Sequence, residues 1–419
     1  MTILLVGGGG REHAIASYLL KNPKVKKIYA LPGNAGIAQL AETADIKTTD
    51  IDGIVAFALE KRVDFVFVAP DDPLVLGAVD ALTEKGFTCF GPDRAAAAIE
   101  GSKSFAKNLM QKYGVPTAEF AVFDDHMQAS AHLRETGKYP VVLKADGLAL
   151  GKGVTIAHSE EEAQAALYAM MRERVFGKSG ERVVVEEFLT GPEVSVLCFT
   201  DGKTIKPMAS AMDHKQIYDG NKGPNTGGMG IIAPNRYYTE ETAERCMREI
   251  FLPTMRAMNS EGRTFRGCLY FGLMLTTDGP KVIEYNCRFG DPEAQAVLPL
   301  LETDLLSIVE AVSEGRLSEI EVKVRDGHAC CVIMASGGYP GKYEVGKTID
   351  FGGALNMPGI EIFHAGTAQK EGKTVTSGGR VLGVTAVGTS RSDAIELAYS
   401  AVKEISFEDA YYRKDIGRL

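Results

Sequence analysis

The chain has 419 residues, of which 45% are hydrophobic and 24% charged, and its net charge is −9. A length beyond the roughly 250–300 residues at which one core stops growing implies two or three packed domains, and the acidic balance argues against nucleic acid as the main ligand. Seven cysteines without C-x-x-C spacing read as free thiols of a reducing compartment, and no apolar run approaches the roughly 18 residues of a membrane span. "MTILLVGGGG" runs into a strand without a basic leader, so a cytoplasmic protein with no membrane partner is expected.

The first hundred residues alternate strand and helix: "TILLVGGG", a helix over 11–21, "KKIYALPG", a helix over 52–61, "FVFVAP", a helix over 74–85 and "TCFGP". That βαβ rhythm predicts a doubly wound parallel sheet. A helical pattern then runs through "AAAAIEGSKSFAKNLMQKYG" until Gly114 and Pro116 stop it. Residues 118–190, with "YPVVLKADG", "GVTIAHS", a helix over 159–174 and "RVVVEEFL", read as a small α+β lid. "EVSVLCFTDG", "FRGCLYFGLMLTTDG" and "PKVIEYN" predict an antiparallel sheet, followed by a helix over about 292–314. The remainder, from "HACCVIMASGGYPG", is strand-rich with glycine turns and closes on a helix near 391–404. The expected architecture is therefore mixed α/β and α+β, with an N-terminal domain over 1–100, a central domain over 101–325 that carries the lid, and a C-terminal α+β domain over 326–419.

Glycine loops carry the first chemical signals. "VGGGGREHA" follows a strand and opens a helix, where backbone N–H groups can face a phosphate, but G-x-G-x-x-G fails in both frames and "LPGN" supplies no acid for a ribose. Phosphate is expected there and a dinucleotide is not. "ADGLALGKGV" (145–154) has one residue too few for a P-loop and Gly153 where the metal-binding hydroxyl would stand. A glycine turn between strands, with Lys144 on one strand and Lys152 at the tip, still suits a flap over a triphosphate. "VVVEEFL" ends a strand in two acids, with Glu193 shortly after. In "KVIEYNCRFGDPEAQ", Glu284 and Asn286 lie two apart on a strand, so both face one side and can offer oxygens to a Mg²⁺ that also holds phosphates, with Arg288 in line as a phosphoryl clamp. Asp213, His214 and Lys215 stand just before "GPNTGGMG" (223–230), a loop that offers mostly backbone.

With these motifs in order, together with "GGREHA", "PGNAG", "EGSKSFAKNLM", "DHK", "GYPGKY", "FHAGT", "GGRVLGVTA" and "YRKDIG", the whole chain closely resembles the phosphoribosylamine–glycine ligase (glycinamide ribonucleotide synthetase) family. The resemblance implies a pre-ATP-grasp N-terminal domain, an ATP-grasp centre, and the joining of glycine to 5-phosphoribosylamine with ATP and Mg²⁺ or Mn²⁺ in purine biosynthesis. It implies that Lys103 and Lys144 hold ATP phosphates under the loop Gly151, Lys152 and Gly153. It implies that Glu186, Glu187 and Leu189 line adenine, that Glu193 takes the ribose, and that Glu284 and Asn286 bind the metal. Gly9, Gly10 and Asn34 would lie near the ribosylamine phosphate, and Asp213, Lys215, Asn225, Thr226, Gly227, Gly228, Arg288 and Asp291 near glycine and the acyl phosphate. A monomer or weak dimer, in transient contact with the enzyme that supplies phosphoribosylamine, is the expected assembly. Three departures touch the acceptor: "APDD" (69–72) where the family has "GPE", Gln216 for Arg and Asn221 for Asp. A ligase of changed amine or amino acid specificity and a non-catalytic nucleotide-binding module are the alternatives.

Overall fold

The computed structural model describes residues 1–149 and 153–418. Its N-terminal sheet comprises β1 (Thr2–Gly7), β2 (Lys27–Pro32), β3 (Glu42–Thr43), β4 (Phe65–Val68) and β5 (Thr88–Phe90) in the order β3-β2-β1-β4-β5, all parallel. Ile3 and Leu5 enter one core cluster while Leu4 and Val6 enter another, so β1 is buried on both faces and its sequence shows no polar alternation. The strand order reverses beside β1, which opens a crevice at its carboxyl end, and Gly8 and Gly9 stand there before the helix Gly10–Leu19.

Two expected helices are each broken into two. Residues 74–85 fall into Asp71–Leu76 and Ala78–Glu84, separated by Gly77 at φ +90, a left-handed conformation that glycine adopts freely. The pattern after Pro92 divides into Arg94–Gly101 and Lys103–Tyr113 at an extended Ser102, whose hydroxyl accepts from Phe105 N at 3.2 Å as a cap.

The lid strands Phe120–Phe123, Val183–Glu187, Val141–Ala145 and Val154–Ala157 form an antiparallel sheet in that spatial order. The helices His126–Thr136 and Glu160–Met171 cover it, and Leu133, Leu143 and Leu167 belong to a core of its own. The central antiparallel sheet places Ile205–Pro207, Glu193–Thr200, Gly267–Thr276 and Gly279–Asn286 side by side. The last sheet runs Met212–Asp213, Gly230–Ala233, His328–Ala335, Arg380–Gly388, Ile360–His364, so the strand that follows the Gly223–Gly230 loop pairs with a C-terminal strand. The helix expected over 292–314 is also divided, into Ala294–Leu300 and Leu305–Glu314, because Leu301 is extended and Asp304 caps the second piece through Ser307 N at 2.8 Å. The final helix spans Arg391–Glu404.

Phe289 joins the layers directly behind the site. Its ring centroid lies 6.2 Å from Phe67, 6.3 Å from Phe90 and 5.8 Å from Phe199, so the parallel and central sheets share one apolar contact. The preceding residue, Arg288, is anchored as a result.

Candidate active site

The nucleotide side is built on the strand Val183–Glu187. Alternation turns Glu186 inward and leaves Glu187 exposed, 3.9 Å from Lys281. The Glu186 Oε2 atom lies 2.9 Å from Lys107 Nζ and 3.0 Å from Lys144 Nζ, both largely buried, while its Oε1 has no partner among the described residues. Burial pushes Lys107 down to about 8, against the pull of Glu186. Lys144 also donates to Ile283 O at 2.8 Å, and Lys103 donates to Gly147 O at 3.0 Å at the start of the glycine turn. Desolvation lowers the Lys103 pKa although Glu284 opposes it. Leu189 packs with Ala118 and Met274 in a small apolar cluster. Gly153 accepts from Ala145 N at 2.8 Å, whereas Gly151 and Lys152 lie outside the described residues.

The next face is the strand Gly279–Asn286. Glu284 stands opposite Gly272, and a Cβ on that glycine would come within 2.7 Å of Glu284 Cγ, so the missing side chain makes room for the carboxylate. Lys215 Nζ lies 3.5 Å from Glu284 and 3.2 Å from Glu193, tying the two acids to one cation. Lys215, then Lys144 and Lys103, hold the Glu284 carboxyl below the usual range against burial. Asn286 Oδ1 accepts from Arg288 Nη2 at 3.0 Å, and the same nitrogen lies 2.9 Å from Glu100 Oε1. No group of three or more His, Cys, Asp or Glu side chains that could hold a metal occurs among the described residues. An ionised carboxylate and one amide oxygen nevertheless fit a Mg²⁺ whose other ligands are phosphate oxygens and water, because that cation keeps most of its shell from substrate and solvent.

On the acceptor side the strands Gln216–Tyr218 and Lys222–Asn225 form a hairpin, and the Gly223–Gly230 loop begins in its second strand and runs on from it. Asn225 is exposed in this hairpin. Thr226 Oγ1 donates to Lys215 O at 2.8 Å and accepts from Gly228 N at 3.0 Å, and Gly227 N donates to Tyr339 OH at 3.1 Å. Gly228 has φ +109, and a Cβ there would meet Pro292 Cδ at 2.5 Å and Asp213 Oδ1 at 2.8 Å. Asp213 Oδ1 is buried without a partner among the described residues, and burial, then Glu293, pushes its pKa well up. Asp291 accepts from Gln295 Nε2 at 2.9 Å and lies 3.2 Å from Arg380. A cleft of about 340 Å³ is lined by Gly9, Asn34, Asp291, Thr367, Ser377 and Arg380 among others, so the N-terminal and C-terminal segments meet in it. Asn34 Nδ2 donates to Gly8 O at 2.9 Å and to His364 O at 2.7 Å, fixing that meeting. Gly10 is buried behind the cleft, where a Cβ would collide with Gln295 Nε2.

Several residues of this site escape sequence reasoning. Arg380 falls in "GGRVLGVTA" and Arg11 in "GGREHA", yet nothing local says that both reach Asp291, Arg11 through its backbone N–H at 3.4 Å. Lys107 and Glu100 fall in "EGSKSFAKNLM", yet nothing local says that they reach Glu186 and Arg288. Conversely, His214 has a structural place: its Nδ1 bonds Gly230 O at 3.1 Å and its Nε2 accepts from Gly417 N at 3.1 Å, with burial pushing it to about 4. Asn221 Oδ1 and Gln216 O both accept from the buried Arg413, each at 3.0 Å, which ties these two departures to the C-terminal segment. Burial works to raise the Asp71 pKa, but Arg288 and Arg11 outweigh it and hold the carboxyl low, so the departure in "APDD" faces both arginines.

A parallel sheet, a lid and an antiparallel sheet with lysines and carboxylates converging between them define an enzyme of the ATP-grasp class. The biotin carboxylase domain of 2-oxoglutarate carboxylase from Hydrogenobacter thermophilus, solved with MgADP, ADP and bicarbonate, has the same fold at a TM-score of 0.77 and 17% identity, covering 98% of this chain and 91% of that one. Family models described as phosphoribosylglycinamide synthetase match as N domain over 1–100, ATP-grasp (A) domain over 101–294 and C domain over 329–419. Relatives named phosphoribosylamine–glycine ligase include one from Caldanaerobacter subterraneus subsp. tengcongensis, 50% identical with 100% of this chain and 99% of that protein covered. Another, from Brucella melitensis, is 48% identical over 100% of this chain and 97% of its own length. The crystal structure of the Thermotoga maritima phosphoribosylamine–glycine ligase superposes at a TM-score of 0.85 with 32% identity, covering 99% of this chain and all of that one. The chain belongs to the phosphoribosylglycinamide synthetase family and is an enzyme of the ligase class.

Proposed function

We propose that the site joins glycine to 5-phosphoribosylamine at the expense of ATP, giving glycinamide ribonucleotide, ADP and phosphate. The observation that carries this reading is the position of Lys215, which pairs with Glu193 and Glu284 while its carbonyl holds Thr226 of the glycine loop. Nucleotide, phosphoryl and acceptor sides thus meet around one residue.

In this reading the glycine carboxylate attacks the γ-phosphate, ADP departs, and the ribosylamine nitrogen attacks the carbonyl of glycyl phosphate with loss of phosphate. The protein needs no nucleophile of its own, and it acts by positioning and electrostatics. Lys103 and Lys144 neutralise the triphosphate, with Gly151, Lys152 and Gly153 over it. Glu186, Glu187 and Leu189 border the adenine, and Glu193 the ribose. Glu284 and Asn286 would hold the Mg²⁺ or Mn²⁺, which when bound lowers the charge on the transferring phosphoryl group. Arg288, whose buried Nε has no acceptor among the described residues, offers that donor to the phosphoryl oxygens. Gly9, Gly10 and Asn34 present the ribosylamine phosphate site, with Asp291 beside it. Asn225, Thr226, Gly227 and Gly228 give a backbone surface that glycine can approach closely. Asp213, whose buried Oδ1 has no partner among the described residues and borders Gly228, faces the attacking amine. The working division is 1–100, 101–325 and 326–419, in a cytoplasmic monomer or weak dimer supplied with its labile amine by a partner enzyme.

Isotope transfer tests the chemistry. With glycine labelled by ¹⁸O in its carboxylate, the acyl phosphate route delivers one labelled oxygen into inorganic phosphate. Label-free phosphate under turnover contradicts the route.

A further inference from the structure

Glu100 lies in the last turn of the helix Arg94–Gly101, yet its carboxylate serves a strand almost two hundred residues away. It is buried, Oε2 accepts from Cys287 N at 2.7 Å, and Oε1 accepts from Arg288 Nη2 at 2.9 Å. The two bonds bracket the end of the strand that carries Glu284 and Asn286, one on its backbone and one on the side chain that follows. The Arg288 nitrogen held by Glu100 is also the one that donates to Asn286 Oδ1 at 3.0 Å. A carboxylate is required for this geometry, because both contacts come from donors and both oxygens must accept. Three residues further along, beyond the break at Ser102, Lys103 reaches Gly147 O, so the same turn sets one phosphate-side lysine as well.

We infer that Glu100 is a positioning residue for phosphoryl transfer: it holds Arg288 in place and, through the shared nitrogen, orients the Asn286 oxygen toward the cation. The inference rests on the proposed roles of Asn286 and Arg288. It assigns Glu100 no contact with substrate, so its loss acts through those two side chains. A Gln side chain keeps the shape but turns one acceptor into a donor that faces a donor, and it removes the charge that pairs with the guanidinium.

The test compares full-length Glu100→Gln with the wild-type chain in four measurements: melting temperature, turnover as a function of Mg²⁺, Mn²⁺ binding in the presence of ADP by electron paramagnetic resonance, and ADP binding without metal. Outer partners of metal ligands typically change affinity or activity by about 10–100-fold, so turnover is expected to fall by roughly that factor. Mn²⁺ binding with ADP is expected to weaken at least about five-fold while metal-free ADP binding stays within about two-fold. A folded Glu100→Gln protein with turnover and Mn²⁺ binding within about two-fold of wild type overturns the inference. Asn286→Ala and Arg288→Lys serve as controls. If they too change nothing, the proposed site has failed, whereas an effect in them alone sinks only the role of Glu100. Should Glu100→Gln not fold, Glu100→Asp keeps the charge but shortens the reach by one methylene, and the same readouts and limits apply.

Discussion

Arg380 and Asp291, 89 residues apart in the chain, meet at the acceptor cleft with a guanidinium nitrogen 3.2 Å from the carboxylate. The other terminal nitrogen holds Asp291 O at 2.7 Å and Gly227 O at 2.6 Å, so one C-terminal side chain clamps the glycine loop to the turn that carries Asp291. Both side chains are mostly buried, and breaking such a pair by removing one partner costs about 3–5 kcal/mol. Arg380→Ala is expected to lose stability of that order in chemical denaturation and to raise the KM values of glycine and the amine. Arg380→Lys keeps the charge without the fork and recovers only part. Unaltered stability and KM in Arg380→Ala would show that the loop is held by other means.

Gly228 carries the acceptor loop past Pro292 in a left-handed conformation, with Asp213 on its other side. Gly228→Val meets both neighbours and also strains the backbone. The expected outcome in steady-state kinetics is a KM for glycine raised at least about ten-fold with the KM for ATP little changed. An unchanged apparent affinity for glycine removes this loop from the glycine site.

Glu284 faces three lysines and is ionised, and the bound cation would stabilise charge that grows during transfer. Glu284→Ala should therefore lower kcat by about a hundred-fold or more while weakening ATP binding far less. Titration calorimetry against turnover separates the two effects. Equal losses in both would reduce Glu284 to a binding group.

Three buried histidines predict a loss of stability in acid. Burial pushes His13 to about 3, His214 to about 4 and His364 to about 4, with His364 also lowering His13 and Arg413 lowering His214. The unfolded chain takes up these protons near 6.5, so between 6.5 and about 4 it binds more protons than the folded chain, and stability is lost as pH falls through that window. At pH 5 each contributes about 2 kcal/mol of that loss at 1.36 kcal/mol per unit. Thermal midpoints at pH 7.5 and 5.0 should drop in the wild type and drop less in His214→Asn; identical drops would show that His214 takes no part.

Legibility followed the range of the contacts. The parallel sheet shows in the sequence because β1 is apolar on both faces and ends in glycines, both local properties. Glu284 and Asn286 are recognisable as a pair because alternation along one strand places them together. The break at Ser102 has a local sign in Gly101, a poor helix former, and Ser102, a natural N-cap, and tertiary bonds complete it: Ser104 N donates to Asp146 Oδ1 at 2.6 Å and Lys103 N to Asp146 O at 2.8 Å. Glu100 and Arg380 stand inside quoted motifs, but their roles are not legible there, because their partners lie far off in the chain. His214 looks chemical beside Asp213 and Lys215, and only the fold shows it bonded to Gly230 and Gly417.

The central claim is that this site couples ATP cleavage to glycine and 5-phosphoribosylamine together. The most direct measurement follows ADP release by the purified chain with ATP and Mg²⁺, adding glycine and freshly prepared phosphoribosylamine singly and jointly. Sustained release that requires both, with glycinamide ribonucleotide formed in equal amount, is the predicted result. Release supported by another amino acid or amine and not by this pair, or tight ATP binding with no release at all, would contradict the account.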